Sequence, residues 1–218
     1  ARQQIAQDLQ KLEKPDEALK VLRDTLNGSI DDVEINASIG DVLRSQERYA
    51  EAADAYTKAI ALIREPQQRH WTLFYTRGIS YERSKRWADA EADLQVALKL
   101  KPDQPLVMNY LAYTWVEQGV HMKEALDMLR RAVDLRPEDG FIVDSLGWAH
   151  YRMGDYQTAI EFLEQAITLE PSEATINDHL GDAYWRVGRR LEAKYQWQHA
   201  LTLKPEKADE PKIRHKIE

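Results

Sequence analysis

The last third of the chain reads one pattern twice. DSLGWAHYRMGDYQTAIEFLEQAITLEP is followed by DHLGDAYWRVGRRLEAKYQWQHALTLKP, and a shift of 34 residues lays Leu146 on Leu180, Gly147 on Gly181, Gly154 on Gly188, Ala159 on Ala193, Ala166 on Ala200 and Pro171 on Pro205. A fixed period of this length is the signature of stacked supersecondary units, each burying its apolar face against its neighbours. It sets aside the expectation of one or two globular cores that 218 residues would otherwise raise.

The same ruler extends through the chain. A small residue recurs at Ala18, Ala52, Ala90, Ala125, Ala159 and Ala193, at separations of 34, 38, 35, 34 and 34 residues, with a companion small position at Ala6, Gly40, Gly78, Ala112, Gly147 and Gly181. Two helices approach to about 8 to 10 Å only where neither side chain holds them apart, so paired small tracks predict paired helices. Six units follow: residues 1–32, N-terminally incomplete; 33–70, extended by four residues near Glu65-Pro66-Gln67-Gln68; 71–104; 105–139, with one extra residue near Val120-His121-Met122; 140–173; and 174–207. Residues 208–218 read either as a capping helix or as a tail. The extension of the second unit belongs either to a longer helix or to a longer loop. Pro15 suits a helix start, Asn27-Gly28-Ser29 is expected to close the helix before it, and Pro102, Pro137, Pro171 and Pro205 fall just past helix ends. Arg77 stands where an apolar residue is expected before Gly78; unpaired burial would be costly, so it should snorkel or meet a carboxylate. The chain opens within a unit and without Met, which reads as a piece of a longer protein.

The order of apolar residue, Gly, aromatic, Ala, large apolar residue and Pro resembles the tetratricopeptide repeat, a helix-turn-helix unit of 34 residues. The resemblance implies an all-α, right-handed superhelical solenoid of about six repeats plus a short C-terminal helix. It also implies that the first helix of each unit lines a concave groove through positions 2, 5, 9, 12 and 13. Those positions hold Ala37, Asp41, Arg44 and Ser45 in the second unit; Tyr75, Ile79, Glu82 and Arg83 in the third; Leu106, Asn109, Tyr113 and Val116 in the fourth; Phe141, Asp144, Trp148, Tyr151 and Arg152 in the fifth; and Asp178, Asp182, Trp185 and Arg186 in the sixth. Aromatic and Arg side chains give large contact area with few rotors. Tyr75, Asn109, Tyr113, Asp144, Trp148, Tyr151, Arg152, Asp178, Asp182, Trp185 and Arg186 are therefore the candidate partner-binding residues. Gap-filling between neighbouring first helices is the competing role for the tryptophans, and a solvated charged face that for the aspartates and arginines. Leu43, Tyr81, Trp115, His150 and Tyr184, with Tyr56, Leu94, Leu129, Leu163 and Trp197, read as core.

Composition narrows the partner. A net charge of -7, from 37 acidic and 30 basic residues, lacks the basic stripe of a nucleic-acid binder. The absence of cysteine excludes disulfides and thiolate metal sites, and no apolar run approaches the roughly 20 residues that cross a bilayer. No phosphate-binding Gly loop, nucleophile elbow or paired-His metal motif is present, so no catalytic residue, metal or cofactor is expected. A protein or peptide partner is expected, with self-association through the array's ends as a further expectation.

A narrower resemblance rests on DSLGWAHYRMGDY and INDHLGDAYWRVGRRLEAKYQWQHAL, which are similar to the C-terminal block of proteobacterial cell-envelope tetratricopeptide proteins. Some of these are lipoprotein adaptors that bring a carboxy-terminal processing protease to cell-wall hydrolases. This implies a non-catalytic scaffold of the periplasm or cell envelope; a cytoplasmic location, or a regulatory or substrate-presenting region of a larger enzyme, stays open beside it. The carboxylate-clamp subgroup is not matched, since the relevant inward positions read Gln3, Ala37, Tyr75, Asn109, Asp144 and Asp178.

Overall fold

The computed structural model describes residues 14–218, so Gln3, Ala6 and most of the first unit's opening half lie outside the described residues. The described residues contain only helices and turns, and the chain divides into two compact units, Ala1–Pro102 and Asp103–Glu218.

The first unit contains α1 (Pro15–Arg23), α2 (Asp32–Ser45), α3 (Tyr49–Ala61), α4 (Trp71–Arg83) and α5 (Trp87–Leu100). Helices α2 and α3 pack as a pair, as do α4 and α5, and α3 packs on α4. Helix α1 ends at Arg23, four residues before Asn27, because the following loop is organised by another group: the Asp32 carboxylate accepts the backbone N–H of Asn27 (3.2 Å) and of Gly28 (2.7 Å). The four additional residues of the second repeat lie in the connection. Helix α3 stops at Ala61, and a short 3-10 turn, Gln68–His70, leads into α4.

The second unit contains α6 (Pro105–Gln118), α7 (Met122–Leu135), α8 (Gly140–Arg152), α9 (Tyr156–Leu169), α10 (Ala174–Arg186), α11 (Arg190–Thr202) and α12 (Glu210–Ile217). The pairs α6/α7, α8/α9 and α10/α11 repeat the same packing. Helix starts are locally specified. Pro105 and Pro211 occupy first-turn positions that need no N–H, and the Asp139 and Asp155 side chains accept from Ile142 and Thr158 N–H groups. Helix α12 is a packed element rather than a tail: Ile213 is 1% exposed, and a shift of 34 from α10 places it where His179 stands.

The small tracks do what their spacing predicts. Ala18, Ala52, Ala90, Ala125, Ala159 and Ala193 are fully buried. A Cβ on Gly147 would lie 2.8 Å from Leu163 Cγ and 3.2 Å from the Ala159 carbonyl oxygen, and one on Gly181 would run into the Trp197 indole. The large residues of both core tracks are buried against this seam, from Leu43 to Tyr184 on first helices and from Tyr56 to Trp197 on second helices. His150 takes part as a core residue, its Nδ1 3.1 Å from an Asp155 carboxylate oxygen.

Arg77 resolves its position by pairing. Its Nε and Nη2 donate to the two Asp93 carboxylate oxygens at 2.6 and 2.8 Å, the fork geometry that best matches guanidinium to carboxylate. Burial raises the Asp93 pKa, against the pull of Arg77.

Gly147→Ala is expected to destabilise the fold by about 1–3 kcal/mol, because the added methyl meets a backbone carbonyl as well as a side chain. Urea unfolding of the variant beside wild type measures it.

Candidate protein-binding face

In the second unit the first helices succeed one another, α6 packing on α8 and α8 on α10. Each passes an acid to a donor on the next. Glu117 at the end of α6 accepts from Trp148 Nε1 (2.7 Å) and Arg152 Nη1 (2.9 Å) on α8. Asp144 on α8 meets His179 Nδ1 on α10, with its oxygens 2.9 and 3.1 Å away. Asp178 and Asp182 on α10 both accept from Lys216 Nζ on α12, at 2.8 to 2.9 Å.

The candidate residues of this unit therefore fall into two groups. Asp144, Asp178, Asp182 and Arg152 take part in links between successive helices, and Trp197 Nε1 adds a bond to Asp182 at 3.0 Å. Trp148 belongs with them: its ring lies between His179 (centroids 4.0 Å apart) and Tyr151 (4.6 Å), stacked on both. Arg186 lies over the Tyr156 ring at 4.4 Å and supplies a hydrogen bond to Tyr151, whose pKa is raised by burial and by Asp182 against that bond. Asn109 and Tyr113 on α6 are half-buried, and Asn109 Oδ1 is enclosed with no hydrogen-bond partner. Val116, assigned to the inward stripe by its position, is fully buried: its side chain is core. Tyr75 belongs to the first unit, where it lies half-buried beside Trp71 with ring centroids 5.9 Å apart.

The second group keeps open apolar surface. Among the candidates, Trp185 on α10 is 41% exposed, with the Arg190 guanidinium over its ring at 5.2 Å; Phe141 on α8, an inward-stripe residue outside the candidate set, is 50% exposed. Exposed aromatic faces on successive helices, with a cation beside one, have the composition of contact hot spots.

Sequence reasoning did not single out Glu117, His179 or Lys216. Each lies roughly one repeat, 31 to 38 residues, from its partner. A scan for helical i, i+4 pairs passes over such spacings; a search for opposite charges one period apart would have found the aspartate and lysine.

Among the described residues no helix is long and apolar enough to cross a membrane, and no group of three or more His, Asp or Glu side chains could hold a metal ion.

Paired helices at a near-constant period, stacked through small residues with polar ties between first helices, define a helical repeat scaffold. The chain belongs to the tetratricopeptide repeat family: the family model of that description matches residues 4–68 and 75–140, and a second, described as TPR repeat, matches residues 147–188. The TPR repeat-containing protein PA4667 of Pseudomonas aeruginosa is 33% identical over 104 residues, covering 46% of this chain and 18% of that protein. Serine/threonine-protein phosphatase T of Trypanosoma brucei brucei is 32% identical over 101 residues, 46% of this chain and 20% of that protein. The chain thus spans about a fifth of the length of these relatives. A tetratricopeptide repeat protein from Parabacteroides merdae superposes with a TM-score of 0.80 at 15% identity, covering 98% of this chain and 83% of that one. The fold is that of a protein–protein interaction scaffold, and its family is typically non-catalytic.

The Asp144–His179 link gives the second unit a pH dependence. Burial opposes charge on His179, but Asp144 foremost, then Asp178 and Asp182, outweigh it and raise its pKa above the usual 6.5. A raised histidine contributes stability that is fully present below pH 6.5 and is lost as pH rises through its folded value. Thermal melting is expected to fall as pH is raised above about 6.5, and to fall less in His179→Gln.

Proposed function

We propose that the chain is a non-catalytic adaptor that holds a peptide or protein segment against the first helices of its second unit, with Phe141 and Trp185 as apolar anchors, Arg190 over the Trp185 ring and Arg186 on the same helix as Trp185. The observation that carries this reading is the division of the face. Most of its charged groups are paired with one another, while these two aromatic faces stay open to a partner. Asn109, Tyr113 and Tyr151 lie in the same row of helices and extend the contact; Asp144, Asp178, Asp182, Trp148 and Arg152 set its shape. Tyr75 contributes through the first unit.

The repeat motifs of the C-terminal block, which resemble those of cell-envelope tetratricopeptide adaptors, support placing this adaptor in a cell-envelope assembly that joins a protease or a cell-wall enzyme to its target. A regulatory region within a larger enzyme is the second reading, favoured by the match to part of a protein named as a phosphatase.

A photo-crosslinking phenylalanine derivative placed at Phe141 or Trp185 tests the face. Adducts of the same partner from both positions, absent from a control at exposed Glu161 on α9, are expected; equal labelling from all three positions would remove the proposal.

A further inference from the structure

The first unit holds an open cleft of about 1600 Å³ where the second repeat's additional residues enter the loop. One wall comes from residues 29–37 at the start of α2, the other from the loop and 3-10 turn of residues 62–73. Val33, Ile35, Leu62, Ile63 and Leu73 supply its apolar surface, and Ile30 is 65% exposed. This volume exceeds the roughly 300–1,000 Å³ that holds a small molecule, and suits a stretch of chain.

The loop wall carries two cations, Arg64 and Arg69, that pair with no carboxylate among the described residues. Arg64 is exposed and forms no ion pair among the described residues. Arg69 is exposed too, and its Nε points at His70 Nε2, 3.1 Å away. The other ring nitrogen of His70 already accepts the Gln67 backbone N–H at 2.9 Å. A neutral imidazole has one acceptor nitrogen, so Nε2 carries the proton and cannot accept from Arg69. Burial, then the Arg69 charge, lowers the His70 pKa and keeps that ring neutral. Asp31 and Glu34 stand on the opposite wall and Glu65 on the same loop.

We infer that this cleft is a second peptide-binding site, taking an extended segment in which a large aliphatic side chain enters between the walls and the side-chain carboxylate of an adjacent Glu meets Arg64 and Arg69. Charge complementarity selects the peptide: the loop wall offers guanidinium donors that meet no acceptor among the described residues, and the apolar surface beside them takes the neighbouring side chain. Asp31 on the facing wall favours a basic residue on the other side of the aliphatic one. The four-residue extension is what brings these donors to the cleft, since a 34-residue unit has no residues to form this loop. The site needs neither Phe141 nor Trp185, so it stands or falls independently of the face on the second unit.

Amide chemical-shift mapping of the full chain tests this with synthetic peptides in a Gly/Ser frame, blocked at both ends, that carry Lys-Leu-Glu, Lys-Leu-Lys or Lys-Gly-Glu. The first is expected to shift residues 30–37 and 62–73, and the others to bind at least about tenfold more weakly. A peptide ending in Leu with a free terminal carboxylate is the control for the other source of acid: the Glu peptide is expected to bind more tightly, and binding by the free terminus alone would overturn the inference. Arg64→Glu with Arg69→Glu should weaken binding about tenfold or more while circular dichroism and melting stay at wild-type values. Equal shifts with the Lys-Leu-Lys peptide, shifts confined to the second unit, or no shifts at millimolar peptide would overturn the inference.

Discussion

The close approach of each first helix to its second, permitted by a small residue on both, is the contact on which the rest of the structure depends. Where Gly147 faces Leu163 and Gly181 faces Trp197, the space that a side chain would occupy is filled by the partner helix. With the pair fixed, large residues on either side of the seam reach their neighbours and a core forms in slices. Most helical stability comes from such packing rather than from propensity, which explains why α12, only eight residues long, is held through Ile213 and Lys216.

Packing in register makes polar ties between units possible. Because successive first helices present equivalent positions side by side, an acid on one meets a donor on the next: Glu117 with Arg152 and Trp148, Asp144 with His179, Asp178 and Asp182 with Lys216. These groups are partly or wholly removed from water, so their value lies in fixing the register of one helix on another as much as in net stability. A rigid row of helices then presents Phe141 and Trp185 as preordered surface, which lowers the ordering cost of any contact made there.

Much of the fold was legible in the sequence. Paired small tracks and the prolines gave helix pairs in phase, and the core positions of Tyr81, His150, Tyr184 and Trp197 followed from the period alone. Arg77 was recognisable as a residue in need of a partner, though Asp93 was not nameable, because no rule of spacing links position 77 on a first helix to position 93 on a second. The candidate face was legible only as a stripe. Period says which residues share a side; it does not say that Asp144 is satisfied by His179 while Phe141 is left open, since that depends on side chains a whole repeat away. Similarly, four additional residues announced an irregularity near Glu65, and only coordinates show that it lengthens a loop and lines a cleft.

The central claim is that packing the first helices of the second unit in register brings their polar residues into energetic contact with one another. A double-mutant cycle at Asp144 and His179, using Asp144→Asn, His179→Gln and the pair in urea unfolding at pH 6, tests it most directly. The account predicts a coupling of about 1–3 kcal/mol. Additivity within about 0.3 kcal/mol would contradict it.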